Sequence, residues 1–301
     1  TTYFDWRWVF LMNVPFGIGG LLLTTLFMPE MTADAPPPLD RKGFVLSGLG
    51  LSLTVFGSTI IGREGFPLWL PFLLMAAGAG LIAAYVRHAR RAEAPILDLR
   101  LLRIETYRAG VTGGSLFRIG VGAIPFLLPL MLQLGFGLSP FHSGMLTCAA
   151  AAGSILMKFS AGRLIRQFGF RQLLLINGLA SCLIIALYGL LTPATSYLLL
   201  LAMLLCGGFL RSLQFTALNA ISYSDIDHDQ MSTATSLYAV AQQLSLSMGV
   251  AVAAFILELT QYAHGDSTIT ARDFSIAFFA VATVSILSLL TFRNLSPDAG
   301  A

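Results

Sequence analysis

The chain alternates between long apolar runs and short polar connections, and this alternation indicates its secondary structure. Nine runs have about the 20 residues that an α-helix needs to cross the ~30 Å hydrocarbon core of a bilayer. We therefore predict an all-α polytopic membrane protein with nine transmembrane helices. The predicted helices cover residues 8–28, 43–62, 66–86, 109–132, 139–160, 172–191, 196–219, 231–257 and 273–292.

A short basic stretch, residues 162–171, separates two of these helices and should face the cytoplasm. It contains three arginines, among them Arg166 and Arg171, and cytoplasmic loops accumulate Lys and Arg. Gly162 and Gly169 favour a tight turn in this stretch, because glycine has no Cβ that would clash. The stretch therefore predicts a basic cytoplasmic turn.

The basic residues outside the predicted helices support the same orientation. Twelve Lys and Arg residues lie on one side of the predicted membrane and three on the other. The twelve are Arg41, Lys42, Arg87, Arg90, Arg91, Arg100, Arg103, Arg108, Arg163, Arg166, Arg171 and Arg293, and the three are Arg7, Arg63 and Arg272. This asymmetry places the Thr1 end outside and the C-terminus in the cytoplasm, in a multi-pass protein of the cell inner (cytoplasmic) membrane. An outside start favours further helices before Thr1.

Composition excludes several classes of protein. Hydrophobic residues make up 56% of the chain and charged residues 11%, whereas a soluble domain has about 25% charged residues. The net charge of +3 is spread over loops that flank helices, so we predict no nucleic-acid partner. Motifs such as HExxH and GxSxG are absent from the sequence, so we predict neither an enzyme nor a cofactor. Asp225, Asp227, His228 and Asp229 could suggest a metal site, but an exposed acidic loop is the favoured interpretation.

Two arginines lie within predicted helices, where a charge is costly and usually faces a cavity or a partner. Arg118 could line a central cavity and meet an anionic substrate group or a carboxylate. It could equally pair with backbone carbonyls or helix ends inside the bundle. Arg211 could also face the cavity, but its long stem could instead reach the cytoplasmic surface. Gln214 extends the polar face of Arg211 and is a further candidate for substrate binding.

Gln242 and Gln243 lie well inside the eighth predicted helix. They could contact substrate or form only interhelical hydrogen bonds. Small residues recur at four-residue spacing in this helix, which predicts close packing on a neighbour. They are Ala241, Ser245, Gly249 and Ala253.

Similar ridges of small residues occur in the second and third predicted helices, and they also predict close packing. In the second helix the ridge is Gly50, Thr54, Ser58 and Gly62, and in the third it is Ala76, Gly80 and Ala84.

Four segments carry a resemblance to a known family. Residues 5–17, with the sequence DWRWVFLMNVPFG, closely resemble a signature of the 14-helix drug:proton antiporters, the EmrB/QacA-type branch of the major facilitator superfamily. Residues 95–99 resemble the lead-in to helix nine of that branch, and residues 242–251 resemble part of its helix thirteen. Residues 162–171 resemble the cytoplasmic turn motif of the superfamily, although Arg166 stands where the motif carries Asp.

The resemblance implies that the chain corresponds to helices six to fourteen. Residues 1–28 would be the last helix of the N-terminal bundle. Residues 29–108 would be a linker, a two-helix hairpin and a basic loop, and residues 109–301 the C-terminal six-helix bundle. The implied activity is proton-coupled efflux of amphipathic drug-like compounds by alternating access between bundles. The partners would be the bilayer, a small-molecule substrate, protons and the N-terminal helices.

Two other functions remain open. An exporter of an organic anion or metabolite would use the same fold, and the two intramembrane arginines favour it slightly. A membrane scaffold or channel is a second alternative, against which stand the polar residues spread over several helices. Asp and Glu are absent from the middle of the predicted helices, and Glu258 lies at the outer end of one. A proton-coupling carboxylate would therefore belong to the N-terminal helices.

Overall fold

The computed structural model describes residues 7–28, 40–60, 65, 67, 69–92, 95–264 and 269–300. Helices connected by short loops make up these residues, and none of them lies in a strand. The chain divides into two units, Thr1–Pro38 and Leu39–Ala301. The first unit contains α1 (Arg7–Leu11) and α2 (Asn13–Phe27). The polar linker over residues 29–39 lies outside the described residues.

The second unit contains all the remaining helices. Short 3₁₀ and π-helical turns adjoin several of them, including Leu99–Arg103, Ala109–Gly113 and Met131–Gly135. The helices are α3 (Arg41–Thr59), α4 (Trp69–Ala89), α5 (Glu105–Arg108), α6 (Gly114–Leu130), α7 (Pro140–Lys158), α8 (Ala161–Tyr188), α9 (Tyr197–Tyr223), α10 (Met231–His264), α11 (Ala271–Ile286) and α12 (Ser288–Arg293).

Helices form at each of the nine predicted positions, and this confirms the all-α membrane class. Within the described residues, six helical stretches are long and apolar enough to cross a membrane. They are Trp69–Ala89, Glu105–Gly135, Ala161–Tyr188, Tyr197–Tyr223, His228–Ala263 and Ala271–Arg293. Asn13–Phe27 is apolar but shorter, and α3 and α7 contain many Gly, Ser, Thr and Ala residues. The count of nine transmembrane helices therefore stays a prediction.

Side-chain caps define where several helices begin. The Asp40 carboxylate accepts a hydrogen bond from the Gly43 amide at 2.8 Å, and it also contacts the His88 ring at 2.8 Å. Burial acts to raise the pKa of the Asp40 carboxyl, but these hydrogen bonds outweigh burial and the pKa lies below its ordinary value. Thr270 and Asp273 form a capping box at the start of α11. These caps pair amides that the first turn of a helix leaves without partners.

α3 and α4 form a closely packed hairpin. A Cβ at Gly78 would lie 2.7 Å from the Gly50 carbonyl oxygen and 2.8 Å from the Thr54 amide nitrogen, so only glycine fits there. The ridge predicted in α3 is thereby confirmed at Gly50 and Thr54, while Gly62 lies outside the described residues.

The ridge predicted in α4 is wrong. Ala76, Gly80 and Ala84 are exposed, and a Cβ at Gly80 would meet no atom within 4 Å. Gly78, two residues before Gly80, makes the contact with α3 instead. Four-residue spacing of small side chains marks a helix face, but it does not say which face meets the neighbour.

The predicted basic turn at residues 162–171 is mostly helical, which corrects the expected conformation. α8 begins at Ala161, and its helical path is broken at Gly169, where φ is +68°. Arg166 is exposed, whereas Leu164 and Ile165 pack against the core, so the segment before the break is amphipathic. Gly162 lies within this helical segment, and only Gly169 requires the conformational freedom of glycine.

The C-terminal end of α12 is hydrogen-bonded to α8 close to this break. Arg171 donates a hydrogen bond to the Arg293 carbonyl oxygen at 3.0 Å, at the C-terminal end of α12. A cation in this position satisfies an unpaired carbonyl and complements the helix dipole.

Candidate functional site

An open pocket of about 470 Å³ lies between α6, α9 and α10. Its polar side chains are Arg211 from α9 and Gln243 and Ser247 from α10. Most of the remaining wall is apolar and includes Val121, Phe215 and Val250. A concave, mostly apolar site with a few polar groups is typical of small-molecule binding.

Close packing of α10 on α6 positions one wall of this pocket. A Cβ at Gly122 would lie 2.6 Å from the Leu246 carbonyl oxygen and 2.8 Å from the Leu246 Cα. A Cβ at Gly249 would lie 3.0 Å from the Ala123 amide nitrogen. Ser245 and Ala253, on the same face as Gly249, are buried. These contacts confirm the ridge predicted in this helix. The adjacent face of α10 lines the pocket.

Arg211 is the charged side chain of the pocket. It is half-buried, and it forms no hydrogen bond or ion pair with the described residues. Phe215 follows one helical turn later and lines the same pocket. On its other side, Arg211 borders a small recess of about 20 Å³ together with Ser181 and Tyr188. The Ser181 hydroxyl is buried and has no hydrogen-bond partner among the described residues. The guanidinium group is therefore accessible to a ligand group from the pocket.

Gln243 is exposed and lines the pocket, whereas its neighbour Gln242 is half-buried and does not line it. The two side chains diverge because adjacent helix positions differ by about 100° around the axis. Of the two glutamines, the structure places only Gln243 beside Arg211.

Arg118 lies inside the bundle and not in the pocket. Its side chain is 0% exposed, and its Nη2 donates a hydrogen bond to the Tyr238 hydroxyl. Its guanidinium carbon lies 4.6 Å from the centroid of the Tyr238 ring and 5.5 Å from that of Phe215. Nε and Nη1 have no hydrogen-bond partner among the described residues. The cation is thus held chiefly by aromatic faces and by one phenol. This geometry does not support the predicted role of Arg118 in substrate binding.

Gln214 is also enclosed, with 0% of its surface exposed. Its Oε1 accepts a hydrogen bond from Asn177 Nδ2 at 2.8 Å, and its Nε2 donates one to the Leu174 carbonyl oxygen at 3.1 Å. Asn177 also donates to the Leu210 carbonyl oxygen at 2.9 Å. The amide connects α8 to α9 and is not available to a ligand in this conformation.

The structure thus brings together two of the five predicted substrate-binding residues, Arg211 and Gln243. The four residues predicted for the turn motif, Gly162, Arg166, Gly169 and Arg171, lie on α8 and do not line this pocket. Sequence reasoning missed Phe215, although its position four residues after Arg211 placed it on the same helix face. It also missed Tyr238, which is 120 residues from Arg118 and gives no local signal.

Carboxylates in the described helices lie away from the pocket. Asp273 is fully buried, but it caps α11 by accepting hydrogen bonds from the Thr270 amide and hydroxyl, each at 2.8 Å. Glu258 is exposed on α10. The acidic loop is exposed at Asp225, as expected, and this side chain accepts a hydrogen bond from Thr106 at 2.8 Å.

Comparison with known proteins places the chain in a family. The family model of the Major Facilitator Superfamily matches residues 1–250 and 112–299. Relatives named "Putative multidrug resistance protein MdtD" are 33% identical in Pectobacterium atrosepticum and 31% identical in Salmonella paratyphi A. Each alignment covers 98% of this chain, which spans 64% and 63% of the two relatives. These matches confirm the prediction that the chain is not an enzyme. The chain belongs to the Major Facilitator Superfamily.

Proposed function

We propose that this chain forms the C-terminal portion of an exporter that moves amphipathic drug-like molecules out of the cell in exchange for protons. The observation that carries the proposal is the open pocket in which Arg211, Gln243 and Phe215 lie together between apolar helices. Phe215 and the aliphatic wall would hold an apolar body, and Gln243 would orient a polar group. The name of the MdtD relatives supports drug-like substrates.

The pocket would form one wall of the transport path. Residues 109–301 would be the C-terminal bundle, and residues 1–28 the last helix of the N-terminal bundle. Residues 29–108 would supply the linker, the hairpin and the basic loop. Five further helices would complete the N-terminal bundle, and the two bundles would rock about a site near the midplane of the inner membrane. The positive-inside asymmetry supports a cytoplasmic C-terminus.

Proton coupling would depend on a carboxylate of the N-terminal helices. The described carboxylates support this, because Asp273 is engaged in a helix cap and Glu258 is exposed. Neutralising each acidic residue of the full-length protein in turn tests the assignment. Loss of proton-driven transport only on neutralising Glu258 would contradict it.

An exporter of organic anions or metabolites is the second candidate. It is favoured by Arg211, a cation that lines the pocket without a carboxylate partner among the described residues. A guanidinium in this setting would bind a carboxylate or a sulfonate with charge-assisted hydrogen bonds.

Transport into inverted membrane vesicles distinguishes the two functions. Vesicles that contain the full-length protein and have an acidic interior would be supplied with a cationic dye or an organic anion. The proposal predicts dye uptake that follows the gradient, falls in Gln243→Ala and persists in the matched control Gln242→Ala. Uptake of the anion alone, abolished by Arg211→Ala, would favour the second candidate. If neither compound moves although the protein is folded, the proposed transport is wrong.

A further inference from the structure

A second pocket, of about 310 Å³, lies between the α3–α4 hairpin and α10, and we call it the hairpin groove. From the hairpin it is lined by Thr54, Val55, Ser58, Phe72 and Met75. The Thr54 and Ser58 hydroxyls donate hydrogen bonds to carbonyls of their own helix, each at 2.8 Å. Because their hydroxyls are paired, Thr54 and Ser58 present methyl and methylene groups to the groove, and its whole wall is apolar.

The groove exists because the hairpin packs on α10 at one end only. Leu46 and Tyr85 share an apolar cluster with Leu237 and Tyr238, near the start of α10. The Tyr85 hydroxyl further fixes this end, since it donates to the Leu97 carbonyl oxygen at 2.9 Å. At the other end the same helices leave the space that forms the groove.

On α10, the groove and the substrate pocket lie on adjacent faces. Leu244, Met248 and Phe255 line the groove, whereas Gln243 lines the pocket. Ser247 lines both. The two spaces therefore adjoin at Ser247.

We propose that the hairpin groove binds the aliphatic tail of the transported amphiphile while its polar head lies beside Arg211 and Gln243. This inference rests on the proposed function and narrows the substrate class to amphiphiles with an extended aliphatic tail. A volume of about 310 Å³ is near the lower limit of ~300–1,000 Å³ for ligand pockets, which suits part of such a molecule. The groove walls have no charge that would compete for the head.

The groove lies nearer one membrane surface than the other, which indicates where a bound tail would be released. Thr54 and Ser58 lie toward the end of α3 that is opposite Arg41 and Lys42. With basic residues on the cytoplasmic side, the groove is in the outer half of the membrane. A tail that occupies it is positioned for release toward the outer half of the bilayer.

Binding in the groove must depend on shape. Moving a tail from lipid to an apolar groove gains no hydrophobic free energy, because lipid is as apolar as the groove, so van der Waals fit decides. Filling the groove with a larger side chain should therefore displace the tail. Ala251 lines the groove and allows this, and Ala76 is a matched control because it is exposed and lies outside the groove.

The test is photolabelling of the full-length protein in proteoliposomes. The probe has a sulfobetaine head, whose sulfonate can pair with the Arg211 guanidinium, and a straight alkyl chain with a diazirine, at a low mole fraction in the lipid. The proposal predicts that Met248 is labelled several-fold more than Leu73, which is exposed but outside the groove. Ala251→Phe should reduce the Met248 label several-fold, and Ala76→Phe should not. Equal labelling of Met248 and Leu73, or no effect of Ala251→Phe, would show that only bulk lipid fills the groove.

Transport measured beside labelling separates this inference from the proposed function. Ala251→Phe should lower uptake of the long-tailed probe several-fold. It should leave uptake of the cationic dye, which has no alkyl tail, unchanged, and this also shows that the variant is folded. Val55→Phe, from the opposite wall, should reproduce the effect. If Met248 is labelled selectively while no probe is transported, the groove remains a binding site and the proposed export is wrong. Equal loss of both probes would overturn the role of the groove in tail binding.

Discussion

Substitution of Gly122 by alanine tests the close packing of α6 on α10 that shapes the pocket. The new Cβ would lie 2.6 Å from the Leu246 carbonyl oxygen and 2.8 Å from the Leu246 Cα. Both are backbone atoms, so no side-chain rotation relieves the contact, and the two helices must move apart by roughly half an ångström or more to restore van der Waals distances. Overpacking of this kind costs about 1–3 kcal/mol.

The same substitution at an open position should have the opposite sign. A Cβ at Gly80 or at Gly144 would meet no atom within 4 Å. Alanine in a helix interior is favoured over glycine by about 0.5–1 kcal/mol. We therefore expect Gly80→Ala and Gly144→Ala to raise the free energy of unfolding by up to about 1 kcal/mol. Gly122→Ala should instead lower it, by up to about 2.5 kcal/mol after the same helix gain is included.

The assay is unfolding of the full-length protein by sodium dodecyl sulfate from mixed micelles, followed by circular dichroism. Each variant is compared with the parent under identical lipid and detergent conditions. If Gly122→Ala stabilises the protein as much as the two controls do, then α6 and α10 are not in backbone contact at this point. The position of Gln243 relative to α6 would then also be wrong.

Three further substitutions test individual side-chain interactions in the same unfolding assay. Tyr238→Phe removes the phenol that pairs with Arg118 and should cost about 1.5–3 kcal/mol of unfolding free energy. Arg118→Met removes the buried charge itself and should be close to neutral. A larger loss for Arg118→Met than for Tyr238→Phe would contradict the described geometry. Gln214→Leu should lower the free energy of unfolding by about 1–3 kcal/mol, because Asn177 and a backbone carbonyl each lose a hydrogen-bond partner. A variant of unchanged stability with altered transport would argue for a substrate role of Gln214. Asp40→Asn should destabilise the protein at neutral pH only. Because the pKa of Asp40 is lowered in the folded protein, its carboxylate stabilises the fold above the unfolded pKa of about 3.9, and this stabilisation is lost as the pH falls through the folded pKa. A difference in unfolding free energy between variant and parent that persists at acid pH would contradict this.

The membrane fold could be predicted from sequence because apolar runs have the length that a bilayer requires. The ridge that includes Ser245 and Gly249 was also predictable, since its four-residue spacing runs along one face of a single helix. The equivalent ridge at Ala76, Gly80 and Ala84 has the same spacing but faces away from α3. Both faces of a membrane helix can carry small residues, so spacing alone does not identify the neighbour.

The site was only partly predictable for a related reason. Arg211 and Gln214 are three residues apart and belong to one polar face, but Asn177 of another helix satisfies only Gln214. The partner of Arg118 is likewise remote in sequence, and an aromatic neighbour gives no charge signal that would identify it. Whether an intramembrane polar residue binds substrate or stabilises the bundle depends on such long-range partners.

The basic stretch at residues 162–171 shows a different limitation. Its arginines correctly indicate a polar connection, but Leu164 and Ile165 make it an amphipathic helical segment and not a tight turn. Only Gly169 adopts the positive φ that glycine favours. Two apolar residues flanked by arginines were the signal that could have predicted the helix.

The most direct test of the proposed pocket is substrate protection of a cysteine at position 243. The full-length protein would first be freed of its cysteines, including Cys148, Cys182 and Cys206, and then carry either Gln243→Cys or the matched control Gln242→Cys. Reaction with a maleimide is measured with and without the transported dye. We predict that the dye slows labelling at position 243 several-fold and leaves position 242 unchanged, because only Gln243 lines the pocket. No protection at position 243, in a protein that still transports the dye, would contradict the assignment of this pocket to the substrate path.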